Sequence, residues 1–262
     1  MVSEKIKPIN ANSDMSNSIK NILQLTVVFS FLTLTGTFAA LLRLISFGGL
    51  VPFNRKYLIA WSSKVILQIV GIKLELPKSI NITKAGTFIT FNHNSYLDIF
   101  ALTALGLSTT SFILSEKTLK IIPLTLSAYG IGVRYIPQKK HPKRRSLFFE
   151  KIEQVIRDGK LNIAGASEGV HNHHHGVDMF NKGVYRMAMN SKMTILPMFI
   201  YVPEESNPFN KYKYFKRGIL KLEIMEEVDT INWNEDDLEK NVDFMRSRFV
   251  NKFNQLHHKQ II

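Results

Sequence analysis

The chain has 262 residues, enough for one domain of ordinary size with an appendage. Lys and Arg number 34 against 21 Asp and Glu, and the resulting formal charge of +13 suits an anionic partner: membrane lipid, a phosphate-bearing substrate or nucleic acid. There is no cysteine, which excludes disulfides, thiolate catalysis and cysteine-based zinc sites.

Met1 to Lys20 is polar and reads as a tail. Ile22 to Leu42 then carries no charge over 21 residues. At 1.5 Å per residue such a helix is about as long as a ~30 Å hydrocarbon core is thick. Its Thr and Ser content makes it less apolar than a strong span. Arg43 interrupts, and Leu44 to Phe53 is a second, shorter apolar piece with Gly48, Gly49 and Pro52. Two arrangements fit. One is a single crossing. The other, slightly favoured, is a helical hairpin dipping into one leaflet, with Lys20 and Arg55-Lys56 both on the cytoplasmic side. A buried core helix is the plainer alternative, and the length argues against it. Tyr57 to Val70 reads as an amphipathic helix whose Tyr57 and Trp61 suit a membrane interface or packing against the domain. The expected division is a tail at 1–20, a membrane-embedded segment at 21–56 and an α/β domain at 57–262.

From Gly71 onward short strands alternate with helices. Strands are predicted at Ile72–Leu76, Thr87–Phe91, Ser111–Leu114, Val133–Ile136, Leu161–Ala164, Thr194–Val202 and Ile219–Met225. Helices are predicted after Ser95, at Thr118–Tyr129 (broken or shortened by Pro123), Lys143–Asp158, Lys182–Asn190 and Leu238–His257. This alternation predicts an α/β fold, a mostly parallel sheet flanked by helices, with the apolar helical segment in front. Two basic runs, Lys139 to Arg145 and Lys211 to Arg217, read as solvated faces or as contacts for an anionic bilayer. No nucleic-acid-binding signature accompanies them, and no nucleic-acid partner is expected.

Two strand ends carry the chemistry. The run Thr87–Phe91 leads into Asn92-His93-Asn94-Ser95-Tyr96-Leu97-Asp98. Asp98 can accept the N–H of one His93 ring nitrogen, fix the tautomer and leave the other nitrogen to take a proton. Equally, Ser95 and Asp98 have the spacing of a capping box, in which Asp98 serves only backbone N–H groups. The second strand end is Gly165-Ala166-Ser167-Glu168-Gly169. Strand ends of a parallel sheet gather at one edge, so His93 and Glu168 can share a crevice.

Taken together these blocks resemble the glycerolipid acyltransferase family, whose members include the 1-acyl-glycerol-3-phosphate acyltransferases. Asn92-His93 with Asp98 matches the family's first block. Gly132 to Gln138 resembles its second, Glu168-Gly169-Val170-His171 its third, and Lys182-Gly183 with Ile195-Leu196-Pro197 the Lys-Gly pair and the fourth. The resemblance runs from about Phe91 to Val202. It implies transfer of a fatty acyl chain from acyl-CoA or acyl carrier protein to a lysolipid hydroxyl at a membrane, with the catalytic domain on the cytoplasmic face and no cofactor. His93 and Asp98 would be catalytic. Asn92, Ser95, Glu168, Gly169, His171, Lys182, Gln138 and Arg134 would line the substrate. The chain departs from the family at Gln138 and His171, where the family has arginines that grip the acceptor phosphate, and at Ser167 and Val170. Lys139, Lys140, Arg134 and Lys182 are the cations that can stand in. Otherwise the acceptor is another lysolipid, such as a lyso-amino-acid lipid. Two further readings remain at this stage. The His171 to His175 tract with Asp178 can hold a metal, which makes a metal-dependent lipid hydrolase or oxidase the rival enzyme. A membrane-bound scaffold without activity is the non-enzyme reading.

Overall fold

The computed structural model describes residues 11–77, 82, 86–158, 161–168, 176–203, 206 and 216–258. A long helix α1 (Ala11–Ile45) comes first. The chain reverses over 46–50, where Phe47 and Gly48 take φ of 49° and 90°. It returns through α2 (Val51–Phe53), a π-helical turn (Asn54–Leu58) and α3 (Ile59–Ile69). Then follow β1 (Ile72–Glu75), β2 (Thr87–Phe91), α4 (Asp98–Thr103), β3 (Thr110–Ser115), a 3-10 turn (Glu116–Lys120), α5 (Ile122–Gly130) and β4 (Arg134–Ile136). The chain continues with α6 (Pro142–Arg157), β5 (Asn162–Ala166), α7 (Lys182–Asn190), β6 (Thr194–Tyr201), β7 (Gly218–Ile224), β8 (Val228–Asp229) and α8 (Leu238–His258).

Among the described residues the strands form one sheet in the order β1-β7-β6-β2-β5-β3-β4, with β8 also on β6. The centre, β6-β2-β5-β3-β4, is parallel throughout. β7 runs antiparallel to β6, and β1 follows β7. The α/β fold with a mostly parallel sheet is therefore as expected, with one reversed pair at its edge. Alternate strand side chains feed two cores, as a pleat requires. Ile89, Leu196, Met198 and Ile200 pack under α1, α3 and α4. Phe88, Ile163, Ile195 and Phe199 pack against Ile152 and Ile156 of α6, Tyr185 and Met187 of α7, and Met245 and Phe249 of α8.

The helical hairpin is present, with a different second arm. Gln24 Nε2 donates to Ile69 O (3.2 Å), the Thr35 and Ser62 hydroxyls lie 2.9 Å apart, and Asn54 Nδ2 donates to Ala39 O (2.9 Å). These contacts make α1 antiparallel to the whole segment from Val51 to Ile69. The turn falls at Phe47-Gly48, so Leu44 to Ile45 still belongs to α1 and the amphipathic helix after Tyr57 is the return arm. That arm buries Ile59, Ala60, Ile66 and Leu67 in the domain core. The hairpin is thus part of the body of the fold.

Thr35, Gly36, Ala39 and Ala40 of α1 are buried and form its packing face. A Cβ at Gly36 would lie 2.6 Å from Ser127 Oγ and 2.8 Å from Ser127 N, and one at Gly130 would lie 2.8 Å from the Ala39 carbonyl carbon. Absent side chains let α1 and α5 approach this closely. Three successive carbonyls at the end of α5 are then taken by hairpin side chains. Arg43 Nη1 donates to Tyr129 O (2.5 Å), Asn54 Nδ2 to Gly130 O (2.9 Å) and Arg55 Nε to Ile131 O (2.7 Å). A helix C-terminus leaves such carbonyls without intrahelical donors, and cations there also meet the negative end of the helix dipole.

Candidate active site

The parallel strands β2, β5, β3 and β4 end at one edge of the sheet, and the residues that follow them build the site. β2 is fully buried and β-branched or aromatic at every position, which fixes where its end falls. The next residue, Asn92, is also fully buried. Its Oδ1 accepts from Ile200 N (2.8 Å) and its Nδ2 donates to Ile200 O (2.9 Å), so the amide extends the ladder from β2 to β6 with a side chain. Asn92 thus positions the loop, and the structure gives its side chain no face toward a substrate.

His93 follows, about a quarter exposed. Its Nδ1 lies 3.1 Å from Asp98 Oδ2. The same oxygen accepts from Asn94 N and Ser95 N, each at 3.0 Å. The capping and triad-like readings of Asp98 are therefore both realised, by one atom. Ser95 is fully buried, and its Oγ accepts from Leu97 N (3.1 Å), a turn-forming contact. Asp98 is 1% exposed, and its Oδ1 is buried without a hydrogen-bond partner among the described residues. Burial pushes its carboxyl up from the ordinary value, opposed by the donors on Oδ2.

Glu168, at the end of β5, reaches the same loop. Its Oε1 accepts weakly from His93 N (3.4 Å), while its Oε2 is buried with no partner among the described residues. Burial is the main cause that pushes this carboxyl up to about 7. The nearby charges of Asp178 and Asp98 add to it, and the His93 N–H and ring oppose it. Behind Glu168 lies a buried chain of hydroxyls that the sequence reading missed. Thr90 Oγ1 is 2.5 Å from Ser167 Oγ, and Ser167 Oγ is 2.9 Å from Tyr185 Oη. Ser167 N also donates to Phe91 O (2.9 Å). The one available signal was Ser167 itself, a hydroxyl between Ala166 and Glu168 at a strand end.

Further along the edge, Gln138 is committed to the protein. Its N–H donates to Glu116 Oε1 (3.0 Å) and its Nε2 to Ser115 Oγ (2.9 Å), while Arg144 pairs with Glu116 Oε2 (3.0 Å). Lys182, at the start of α7, is paired with Glu239 of α8 (2.8 Å). Lys139 and Lys140 are exposed in the loop before α6. Arg134 is grouped with Arg43 and Arg55 of the hairpin, whose charges act on one another. Gly169, His171 and the rest of the histidine tract lie outside the described residues, as does most of the basic run at 211–217. Among the described residues no group of three His, Cys, Asp or Glu is placed to hold a metal. A small apolar cavity between α1, α4, α5 and β3 is lined by Leu32, Phe100, Phe112 and Leu124 among others.

Residues 73–201 match the protein-family model described as Acyltransferase. The chain is 24% identical over 217 residues to the 1-acyl-sn-glycerol-3-phosphate acyltransferase beta of Homo sapiens, covering 81% of this chain and 77% of that protein. It is 23% identical over 199 residues to a 1-acyl-sn-glycerol-3-phosphate acyltransferase of Saccharomyces cerevisiae, covering 73% and 63%. It is 26% identical over 194 residues to one of Borreliella burgdorferi, covering 72% and 75%. The fold is similar to the crystal structure of the 1-acyl-sn-glycerophosphate (LPA) acyltransferase PlsC from Thermotoga maritima, with a TM-score of 0.62, 23% identity, and 91% of this chain and 98% of that one covered.

Proposed function

We propose, from the premise that residues 73–201 form an acyltransferase-family domain, that this enzyme acylates a lysophospholipid at a membrane surface, with 1-acyl-glycerol-3-phosphate as the first candidate acceptor. The observation that carries the chemistry is the contact of His93 Nδ1 with Asp98 Oδ2 at a strand end. With the proton on Nδ1 held by the carboxylate, Nε2 is the basic nitrogen. It takes the proton of the acceptor hydroxyl as the oxygen attacks the thioester carbonyl of acyl-CoA or acyl carrier protein. The tetrahedral intermediate collapses, the C–S bond breaks, and the thiolate leaves with the proton returned from the imidazolium. The buried carboxylate of Asp98 stabilises the transient cation. No covalent enzyme intermediate and no cofactor enter the sequence. Glu168 stands beside the loop, on the acceptor side.

The relatives named for 1-acyl-sn-glycerol-3-phosphate support the phosphate-bearing acceptor. One observation favours a second reading of the head group. At the position where the resembling family carries an arginine, Gln138 is tied to Ser115 and Glu116, and Arg144 is paired with Glu116, so this part of the edge offers a phosphate no unpaired guanidinium. An acceptor without a phosphate monoester, such as a lyso-amino-acid lipid, is compatible with that arrangement.

Membrane attachment is supported by the outer face of α1. Ile19, Leu23, Val27, Leu34, Phe38, Leu41 and Ile45 recur at helical spacing and are all exposed, as are Phe47, Phe53, Tyr57 and Trp61 of the turn and return arm. The apolar stretch of α1, Ile19–Ile45, runs for about 40 Å with its other face packed on the domain. A helix laid along the protein in this way suits lengthwise embedding in one leaflet better than an independent crossing. The basic residues of the loop before α6 suit a cytoplasmic, anionic surface.

The test is a panel. Membranes carrying the protein are given labelled acyl-CoA or acyl carrier protein with 1-acyl-glycerol-3-phosphate, lysophospholipids of larger head group and a lyso-amino-acid lipid. Acyl transfer to at least one acceptor, absent in His93→Ala, is the expected result. No transfer to any acceptor from either donor would sink the reading.

A further inference from the structure

The arginines of the hairpin do more than close α5. Arg43 and Arg55 meet at Gly132, two residues before Arg134. A Cβ at that glycine would lie 3.3 Å from Arg55 Nη2 and 3.8 Å from Arg43 Nη1. Arg55 is 8% exposed, and Arg134 Nε is buried with no hydrogen-bond partner among the described residues. Burial, followed by the charges of Arg134 and Arg43, brings Arg55 down to about 10. The sequence supplies no acid to relieve this. No Asp or Glu occurs between Asp14 and Glu75, nor between Glu116 and Glu150, and these two stretches build the whole cluster. Among the described residues none of the three arginines has a carboxylate partner; Arg43 and Arg55 donate to carbonyls, and Arg43 lies over the Tyr129 ring.

Three like charges held together, one of them with a buried unpartnered donor, call for an anion. Guanidinium forks suit a phosphate above other anions of the cell. The surroundings decide which phosphate. Leu44, Ile45, Phe47 and Phe53, all exposed, sit on the turn beside the cluster, and Phe47 is 99% exposed. An apolar rim beside cations is the pattern of a lipid with its head group at the protein and its chains alongside. The cluster is also set aside from His93: Arg134 opens β4, which lies three strands from β2 in the sheet, about 14 Å at the usual strand spacing, so its ligand is not the acceptor in its reacting position.

We propose that Arg43, Arg55 and Arg134 form a binding site for the phosphate of an anionic membrane phospholipid, which seats the hairpin turn in the bilayer. The proposal rests on the membrane reading above, and the experiment separates the two. Full-length wild type, Arg134→Gln and the Arg43→Gln/Arg134→Gln double variant are sedimented with vesicles of phosphatidylcholine alone or with phosphatidylglycerol added. A Lys151→Gln/Lys240→Gln variant removes the same charge from the exposed sides of α6 and α8, which pack on the face of the sheet opposite the hairpin. Arg55 is left in place because it is buried and bonded to two carbonyls, and thermal melts confirm that each variant is folded.

A cation near an anionic surface generally adds about fivefold to binding. The expected result is a loss of preference for phosphatidylglycerol of more than tenfold in the arginine double variant. The lysine variant should lose less than threefold, with binding to phosphatidylcholine kept in both. Arg134→Lys, which retains charge without the fork, should fall between wild type and Arg134→Gln. Equal losses in the arginine and lysine variants, or none in either, would overturn the site while leaving membrane binding intact. Failure of wild type to bind either vesicle would overturn the membrane reading and the site with it. Inorganic phosphate at constant ionic strength should neither raise the melting temperature nor displace the vesicles. If it does both, the ligand is a free phosphate and the lipid assignment falls.

Discussion

Asp98 holds His93 with the same oxygen that closes its own turn: Oδ2 is 3.1 Å from the ring Nδ1 and 3.0 Å from the N–H groups of Asn94 and Ser95. The turn and the ring contact are therefore coupled at this atom, and on the proposed mechanism the two neighbouring substitutions should behave differently. His93→Ala removes the base and leaves the turn. Acyl transfer should fall by roughly 10³ or more in kcat/KM with melting little changed. Asp98→Asn disturbs both. An amide presents either its oxygen or its NH2 to the ring and cannot stabilise the imidazolium, and it weakens the hydrogen bonds to the turn. Turnover per folded molecule should drop by about 10² or more, and urea denaturation should show a loss of about 0.5–2 kcal/mol. Unchanged turnover per folded molecule in Asp98→Asn would reduce Asp98 to a turn cap.

Glu168 should make stability depend on pH. Its folded-state value, about 7, lies above the ordinary 4.5, so the folded protein binds this proton more tightly than the unfolded chain does. The stabilising contribution is complete below about 4.5 and is lost as pH rises through 7. Glu168→Gln is neutral at every pH and keeps an acceptor for the His93 N–H. The variant should gain under about 1 kcal/mol over wild type at pH 5 and about 3 kcal/mol at pH 8, in order of magnitude. Denaturation at the two pH values checks this. An advantage of Glu168→Gln that is the same at both would mean that burial does not disfavour the charge as argued.

The two faces of α1 should respond to mutation in opposite ways. Gly36 meets the Ser127 backbone, and Gly130 meets that of Ala39, so neither neighbour can step aside. Gly36→Val or Gly130→Val should cost about 1–3 kcal/mol and loosen the hairpin, measured as a lower melting temperature in detergent. Leu34 and Phe38 point outward, 70% and 53% exposed. Leu34→Ser/Phe38→Ser should leave the detergent melt within a degree or two and lower the fraction bound to membranes severalfold. A double variant that lowers the melt yet partitions normally would reverse the assignment of faces.

Much of this was legible in the sequence, and the gaps have physical reasons. β2, α7 and α8 lie within a residue of where residue type and periodicity put them, because each is strongly patterned and bounded by turn residues. The reversal of β7 was not legible, since strand direction follows from the connection before it and not from the strand's own residues. The return arm of the hairpin was placed too early because Gly48-Gly49 and Pro52 read as breaks within it. They bound its start. On α6, Leu147 joins the apolar spacing but is exposed, and Phe149 packs inward in its stead. At the site, the pairing of His93 with Asp98 could be read from five-residue spacing along one loop. The arginine cluster could not, since its members come from α1, the π-helical turn and β4 and meet only in the folded chain.

On the proposed reading, the acceptor head group meets the edge where β3 and β4 end. Gln138 occupies the position at which the resembling family has an arginine, and its neighbour Glu116 accepts from the Gln138 N–H and from Arg144. Gln138→Arg alone should change little. The new guanidinium would sit beside Glu116 and pair with it, a contact within reach of the one Arg144 already makes, and it would offer a phosphate no unspent charge. Glu116→Gln alone frees Arg144 and removes one negative charge, so use of 1-acyl-glycerol-3-phosphate should rise modestly. Together the two substitutions leave two guanidiniums with no acid between them, and a bidentate contact to a phosphate monoester becomes available. The measured quantity is the ratio of kcat/KM for 1-acyl-glycerol-3-phosphate to that for a lyso-amino-acid lipid, in all four proteins of the cycle. The double variant should raise that ratio by more than the product of the single effects, and by at least about tenfold, or 1.4 kcal/mol. Strict additivity near unity would place the head group away from this edge. A fall in the ratio on Glu116→Gln would mean that the carboxylate serves the phosphate acceptor indirectly, by holding Arg144 in position for it.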